Sequence, residues 1–194
     1  TNEDMHEQHS RQIFFDGIPD PVVDICGGIQ ETIWSESANT GRASVEYDTQ
    51  SGGMLYASYS EGFKVGGINE SECSPPWDPE TVSSYEVGFK STFNNGAATL
   101  SAAAFHYDYS DFQVAQVIGV VGVVTNAGDA SIDGLELELN SNIGDDWTVN
   151  VALTLLDSAY GDFLNTDALQ GDAGVLQNEG NPLNKAPKTS LNLG

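Results

Sequence analysis

The stretch from Trp147 to Leu155 reads WTVNVALTL, and its large apolar residues occupy every second position. A period of two places these side chains on one face of an extended strand. The same alternation recurs at 134–140, where three leucines alternate with Glu136, Glu138 and a final asparagine. Because helical periodicity is missing from such stretches, the sequence predicts an all-β protein.

The chain divides into about seven predicted strands, several of them long. They cover residues 35–47, 54–63, 82–93, 97–118, 123–143, 147–160 and 187–194. Gly, Asn and Asp, the residues that tight turns require, predict short turns at 48–53, 94–96 and 144–146, and a brief apolar hairpin is predicted at 119–122. Longer irregular stretches are predicted at 1–36, 66–81 and 161–183. This arrangement predicts an antiparallel up-and-down meander.

The charge balance is strongly acidic, with 29 Asp and Glu against 6 Lys and Arg and a formal net charge of -23. It argues against nucleic-acid binding, since phosphate contacts need clustered Lys and Arg, and it makes adhesion to an anionic membrane surface improbable. The sequence contains no run of about 18 apolar residues, which a transmembrane helix would require. No catalytic motif is present, so we expect neither an enzyme nor a cofactor.

Two architectures fit a meander of this kind. In a soluble sheet the apolar face packs inward and the polar face meets water. In a transmembrane barrel the apolar face meets lipid and the polar face lines a lumen. Tyr47, Phe93 and Trp147 stand beside the short turns, where an interfacial girdle of aromatic residues is required. These aromatic residues favour the barrel and leave the soluble sheet open.

Five stretches together resemble the TonB-dependent outer-membrane receptors, in particular the branch of iron-complex receptors. They are LYASYSEGFKVGGIN (55–69), PETVSSYEVGFKSTF (79–93), AAFHYDYSDFQV (103–114), NAGDASIDGLELEL (126–139) and APKTSLNLG (186–194). The resemblance covers residues 31–194. It implies part of a transmembrane β-barrel in the cell outer membrane, in a receptor that imports a ferric siderophore or a similar iron complex.

The resemblance also implies the partners and the orientation. The partners are outer-membrane lipid, the remainder of the barrel with its plug, the iron-complex ligand, and the TonB complex through segments that this sequence does not contain. The connections at 66–81 and 161–183, and residues 1–30, would be extracellular, with the short turns periplasmic.

The family's barrel has about 22 strands around a plugged lumen, and this sequence contains about seven and no plug domain. Its first residues also lack the basic and apolar regions of a signal peptide. We therefore expect residues 1–194 to be one part of a longer receptor. The alternatives are a non-transporting structural or adhesive β-protein that assembles through free sheet edges and a passive porin.

Polar residues between the apolar positions are expected to face the lumen, most of them in cross-strand ion pairs. They are Arg42, Glu46, Lys64, Glu86, Lys90, Glu136 and Glu138, joined by His106 and Asp108 as ordinary polar contacts of the wall. Gly134 is expected on the same face, where a small residue lets other backbone approach closely.

Three local features complete the predictions. Leu100 is out of phase with Phe105, which predicts a bulge or a strand start between them. Residues 126–128 read Asn-Ala-Gly and predict a bend. Cys26 and Cys73 either form one disulfide between extracellular segments or remain two free thiols.

Overall fold

The computed structural model describes residues 2–9, 32–50, 52–69, 76–118, 121–144, 146–166 and 175–194. Its thirteen strands are β1 (Asn2–His9), β2 (Thr32–Asn39), β3 (Arg42–Asp48), β4 (Gly53–Lys64), β5 (Glu80–Phe93), β6 (Ala98–Ser110), β7 (Gln113–Ile118), β8 (Val121–Asn126), β9 (Ala130–Ile143), β10 (Trp147–Tyr160), β11 (Leu164–Thr166), β12 (Val175–Gln177) and β13 (Thr189–Leu193). A 3-10 turn, Asn94–Gly96, joins β5 to β6.

One antiparallel sheet of seven strands dominates the fold, in the order β13-β10-β9-β6-β5-β4-β3. It is the predicted up-and-down meander. Its short connections all lie at one end, and Asn94 and Asn95 (φ 55° and 56°) make the tightest of them in the left-handed region that asparagine tolerates. The longer connections lie at the opposite end, which we call the long-loop end.

Two predicted strands, 97–118 and 123–143, each divide in two. Their inner parts, β7 and β8, leave the sheet as a separate antiparallel hairpin, in which Ile118 is paired with Val121. The predicted bend at 126–128 is confirmed. Gly128 has a φ of 72°, and a Cβ there would lie 2.6 Å from the carbonyl oxygen of Asp162, so both conformation and space require glycine.

The beginning of the described chain differs from the prediction. Residues 2–9 form β1, which pairs with β2 in a two-stranded sheet of its own. The single strand predicted at 35–47 is wrong, because the chain passes between sheets at Thr40 and Gly41. There the Gly41 amide donates to Oε2 of Glu61 at 3.1 Å, and the Gly41 carbonyl accepts from the backbone amide of Glu61 at 2.9 Å, so Gly41 already belongs to the pairing of β3 with β4.

Side chains directly opposite each other in an antiparallel ladder share a face of the sheet, so the register assigns every strand residue to one of two faces. Thirteen large apolar side chains on what we call the apolar face are 40–73% exposed. They are Val45, Tyr47, Leu55, Tyr85, Val87, Phe93, Leu135, Leu137, Ile143, Trp147, Leu155, Leu191 and Leu193. Such a band of exposed apolar side chains marks a surface that meets something other than water.

The predicted bulge between Leu100 and Phe105 is wrong. Leu100 pairs with Ser91, and Phe105 pairs with Glu86, within one unbroken register. The two residues therefore lie on opposite faces. Leu100 belongs to the apolar face, and Phe105 lies on the other, which we call the polar face.

The buried core is small and lies at the long-loop end. It consists of Ala127, Ala130, Tyr160, Phe163 and Leu183. The ring centroids of Tyr160 and Phe163 are 5.3 Å apart, and Phe112 packs edge-on against Tyr160. This cluster joins the connection between β6 and β9 to the connection between β10 and β13, whereas the middle of the sheet is held chiefly by its ladders.

Candidate functional site

Seven of the nine predicted site residues share the polar face. Register puts Arg42, Glu46, Lys64, Glu86, Lys90, Glu136 and Glu138 there. All the Lys and Arg side chains of the seven-stranded sheet are in this set. That this face lines a lumen stays a prediction.

His106 and Asp108 do not join them, and their placement on the same wall as the other seven is wrong. His106 pairs in register with Tyr85 and with Asp133, both on the apolar face. Its Nδ1 lies 2.9 Å from Oδ1 of Asp133, and its Nε2 lies 3.5 Å from Oδ2 of Asp108. The error follows from the supposed bulge, which would have shifted the face of every later residue in the strand.

The predicted cross-strand ion pairs are also wrong, since none forms among the seven polar-face residues. Glu86 instead accepts a hydrogen bond of 2.6 Å from the hydroxyl of Tyr56. The ammonium of Lys90 lies 5.2 Å from the centre of the Tyr56 ring, a cation-π distance. The Tyr56 side chain thus contacts both the ammonium of Lys90 and the carboxylate of Glu86, which do not contact each other directly.

Glycine makes room for aromatic rings on the polar face at two points. A Cβ at Gly88 would lie 2.4 Å from the Tyr56 ring, and one at Gly134 would lie 2.1 Å from Cζ of Phe105. Phe105 also stacks on Tyr107 at 4.8 Å. The close approach predicted at Gly134 is therefore real, and a side chain rather than backbone makes it.

Gln113 organises the long-loop end, where it is 9% exposed. Its backbone amide donates to Oε2 of Glu80 at 2.7 Å. Its side-chain Nε2 donates to the carbonyl of Val65 at 2.8 Å and to that of Asp78 at 3.2 Å. One buried amide therefore satisfies backbone groups at both ends of the connection between β4 and β5.

Asn126 repeats this role at the end of the β7–β8 hairpin. Its Nδ2 donates to the carbonyls of Asp78 at 2.9 Å and Asp111 at 2.7 Å. Its Oδ1 accepts from the amide of Asp78 at 2.7 Å. Residues far apart in sequence are thereby fixed against one another, and the long-loop end has a defined shape.

A family model described as TonB dependent receptor-like, beta-barrel, matches residues 17–194. The chain belongs to this family. Its membership confirms the resemblance noted in the sequence, and the antiparallel meander has the strand pattern of a TonB-dependent receptor barrel.

Two proteins that are named as receptors are similar to this chain over more than half of its length. The probable TonB-dependent siderophore receptor PiuA of Acinetobacter baumannii is 30% identical over 128 residues, 61% of this chain and 17% of that protein. The ferric-pyoverdine BN7/BN8 receptor of Pseudomonas putida is 33% identical over 106 residues, 54% of this chain and 13% of that protein. The chain thus spans less than a fifth of either relative.

The crystal structure of the siderophore receptor PiuA from Acinetobacter baumannii shares the fold. It superposes with a TM-score of 0.67 at 23% identity, covering 89% of this chain and 25% of that structure.

The sequence patterns did not predict the side chains that fix the long-loop end. Gln113 and Asn126 stand in no repeating pattern, and their partners lie 35 and 48 residues away. The available signal was the pair Asp111-Phe112, which interrupts the alternation of the strand directly before Gln113. Cys26 and Cys73 lie outside the described residues, so their pairing stays a prediction.

The described residues offer few groups for other chemistry. Nowhere in them do three or more His, Cys, Asp or Glu side chains converge on a possible metal position. Among the same residues, no helix has the length and apolar character needed to cross a membrane. What the arrangement offers is an amphipathic sheet with a structured set of loops at one end.

Proposed function

We propose that this chain is a wall and extracellular-loop segment of a TonB-dependent outer-membrane transporter that imports a ferric siderophore or a similar iron complex. The apolar face of the sheet carries the proposal. From Trp147 to Leu155 it is continuously apolar over about 27 Å at 3.4 Å per residue, the scale of the ~25 Å apolar band of an outer-membrane barrel. Two similar proteins that are named as siderophore receptors support the ligand class.

The residues at the two ends of this apolar band support the orientation. Beyond Leu155 the apolar face turns to Asp157, and beyond Leu135 it turns to Asp133. At the short-turn end, Trp147 is 73% exposed and Tyr47 is 64% exposed, as an interfacial girdle requires. Lipid then covers the band, the long-loop end faces the cell exterior, and the polar face lines the lumen.

The remaining parts of such a transporter belong to a longer polypeptide, which we call the complete receptor. Strands β3 and β13 are the edges of the sheet, and unpaired edges are costly in lipid. In the complete receptor, further strands pair with both edges, a plug fills the lumen, and a separate segment contacts the TonB complex.

The first test is the intact mass of the polypeptide that carries this sequence, extracted with detergent from outer membranes. The expected mass is several times 20.6 kDa. The second test is uptake of radioactive iron, offered as defined ferric siderophores, by iron-starved cells with and without TonB. Uptake should require both the receptor and TonB.

A polypeptide of about this chain's own mass, 20.6 kDa, would overturn the transport proposal. The free edges of β3 and β13 would then favour a structural or adhesive protein that pairs with other chains. TonB-independent passage of small solutes would instead indicate a passive porin.

A further inference from the structure

The chain segments at the long-loop end are all acidic. The connections at 65–79, 111–129 and 161–188 together contain nine Asp and Glu against two Lys. Residues 1–41, which lead into β3 at the same end, contain eight Asp and Glu against one Arg. Charges of one sign sum to a field that attracts the opposite charge and raises its rate of arrival. A solute that approaches this end of the sheet therefore meets a negative potential.

The polar face continues this acidity along the wall. The register places on it Glu46, Asp48, Glu80, Glu86, Glu136 and Glu138, against Arg42, Lys64 and Lys90. Lys64 lies directly opposite Glu80 in the ladder, and the ammonium of Lys90 lies 5.2 Å from the centre of the Tyr56 ring. Two of the three cations therefore already have a neighbour that attracts them.

The cations of the polar face are also too far apart to act together. Lys90 lies opposite Met54, which is ten positions from Lys64 on β4, a distance of about 34 Å at 3.4 Å per residue. A polyanion such as a ferric tris-catecholate is bound by several Lys or Arg side chains that converge on it. The strands of the seven-stranded sheet offer no such convergence.

Aromatic rings provide a second, independent attraction for positive charge. Phe105, Tyr107 and Tyr109 occupy every second position of β6 and lie on the polar face. The rings of Phe105 and Tyr107 are stacked with centroids 4.8 Å apart, and Glu86 lies opposite Phe105 in the ladder. The face of an aromatic ring is negative and attracts cations. This column of three rings leads from the glutamates of the wall toward the long-loop end, and it favours the same sign of charge as they do.

We propose that the iron complex admitted along this wall carries a net positive charge, as does a ferric trihydroxamate with a free ammonium group. The inference rests on the proposed function and adds to it the charge of the substrate. The field of the long-loop end raises the rate at which the cationic complex arrives, and the column of rings attracts it further along the wall. A ferric tris-catecholate, which is a polyanion, is repelled by the same field.

The test uses the complete receptor, purified in a mild detergent, and three forms of one ferric trihydroxamate. Ferrioxamine B is cationic through its free ammonium group, acetylation of that group makes the complex neutral, and succinylation makes it anionic. Stopped-flow quenching of tryptophan fluorescence measures the association rates, which should be highest for the cationic complex and lowest for the anionic one. Raising the salt concentration from about 20 mM to about 500 mM should slow the cationic complex by about tenfold, because salt screens the field.

Two double variants with the same change of charge test whether the long-loop end is responsible. Asp129→Lys with Glu179→Lys reverses two exposed acidic residues there. It should slow the cationic complex about threefold, leave the neutral complex unchanged and accelerate the anionic one. Asp145→Lys with Asp146→Lys lies between β9 and β10, at the short-turn end, and should leave all three rates unchanged. Heat-dependent electrophoretic mobility shows whether each variant forms its barrel.

A second pair of variants tests the column of rings. Tyr107→Leu removes one ring and should raise the dissociation rate of the cationic complex about threefold more than that of the neutral complex, the factor that corresponds to one cation-π contact. Tyr107→Phe keeps the ring and should leave the ratio of the two dissociation rates unchanged.

Three results would overturn the inference. They are association rates that do not depend on the charge of the complex, equal effects of the two double Lys variants, or TonB-dependent import of a ferric tris-catecholate in preference to ferrioxamine B. Import of the catecholate would leave the proposed function standing, so the two proposals can fail separately. Cells that show no TonB-dependent uptake of any of these four complexes would overturn the proposed function, and this inference with it.

Discussion

The side chain of Asn69 pairs with the backbone of Val124 as a neighbouring strand residue would. Its Nδ2 donates to the Val124 carbonyl at 2.9 Å, and its Oδ1 accepts from the Val124 amide at 2.7 Å. The connection after β4 is thereby fastened to the β7–β8 hairpin. Gln113 bonds both ends of the same connection and Asn126 bonds its far end, so three amide side chains set the shape of this part of the long-loop end.

Replacing Asn69 by Leu should loosen that connection without unfolding the sheet. Both hydrogen bonds to Val124 are lost, at a cost of about 1–3 kcal/mol for the groups left unsatisfied. Hydrogen exchange at the Val124 amide should accelerate, and β5 should keep its protection. Asn140→Leu is the control, because within the part of the chain that the structure describes the side chain of Asn140 bonds only to the exposed side chain of Glu138. Equal exchange at Val124 in both variants would refute the role of Asn69.

Gln113→Glu should destabilise the long-loop end more than its small change in shape suggests. A carboxylate in this buried position cannot donate to the carbonyls of Val65 and Asp78, and it also lies near Glu80. We expect residues 65–69 to become sensitive to protease at neutral pH. Gln177→Glu, at an exposed position, should show no such change. Native-like protection of Gln113→Glu would contradict the assignment.

Gly134→Ala should cost about 1–3 kcal/mol of stability through overpacking against the Phe105 ring. The double variant with Phe105→Leu should recover much of this loss, because the smaller side chain makes room for the new methyl group. Gly122→Ala meets nothing within 4 Å and serves as the control. Unfolding in denaturant measures all of these variants. Additive effects of the two changes would show that Gly134 and Phe105 act independently.

Two adjacent residues provide a test of which face meets lipid. Leu137→Arg places a charge in the middle of the apolar face, which should cost about 2–4 kcal/mol in a membrane barrel. Glu138→Arg places the same charge on the polar face and should be tolerated. The fraction of the complete receptor assembled in the outer membrane measures the difference. Equal assembly of the two variants would remove the basis for the orientation.

Alternation alone predicted most of the sheet, because a period of two is a local property. Strand β10 was predicted with both its ends correct, and the meander order followed from the turn residues. The predicted face of His106 and Asp108 is wrong, because it depended on a break between Leu100 and Phe105 that the register does not contain. Phe105 instead packs over Gly134 on the polar face, a pairing between strands that no local pattern records.

The long-loop end was harder to predict, for a physical reason. Side-chain amides there bond to backbone groups far along the chain, 55 residues apart for Asn69 and Val124. Asparagine and glutamine in loops usually indicate only turns or solvent exposure. Whether such an amide bonds a distant backbone group depends on which strands the sheet brings together.

Tyr109 at the end of β6 lies directly opposite Ala130 at the start of β9. Residues 111–129 therefore leave the wall and return to it at neighbouring points, and the order of the wall does not depend on how long that excursion is. Longer or shorter hairpins could be grafted between these two residues without shifting the register of any strand. A sheet of this order can therefore accept a different insert between β6 and β9 while the pairing of its own strands stays as it is.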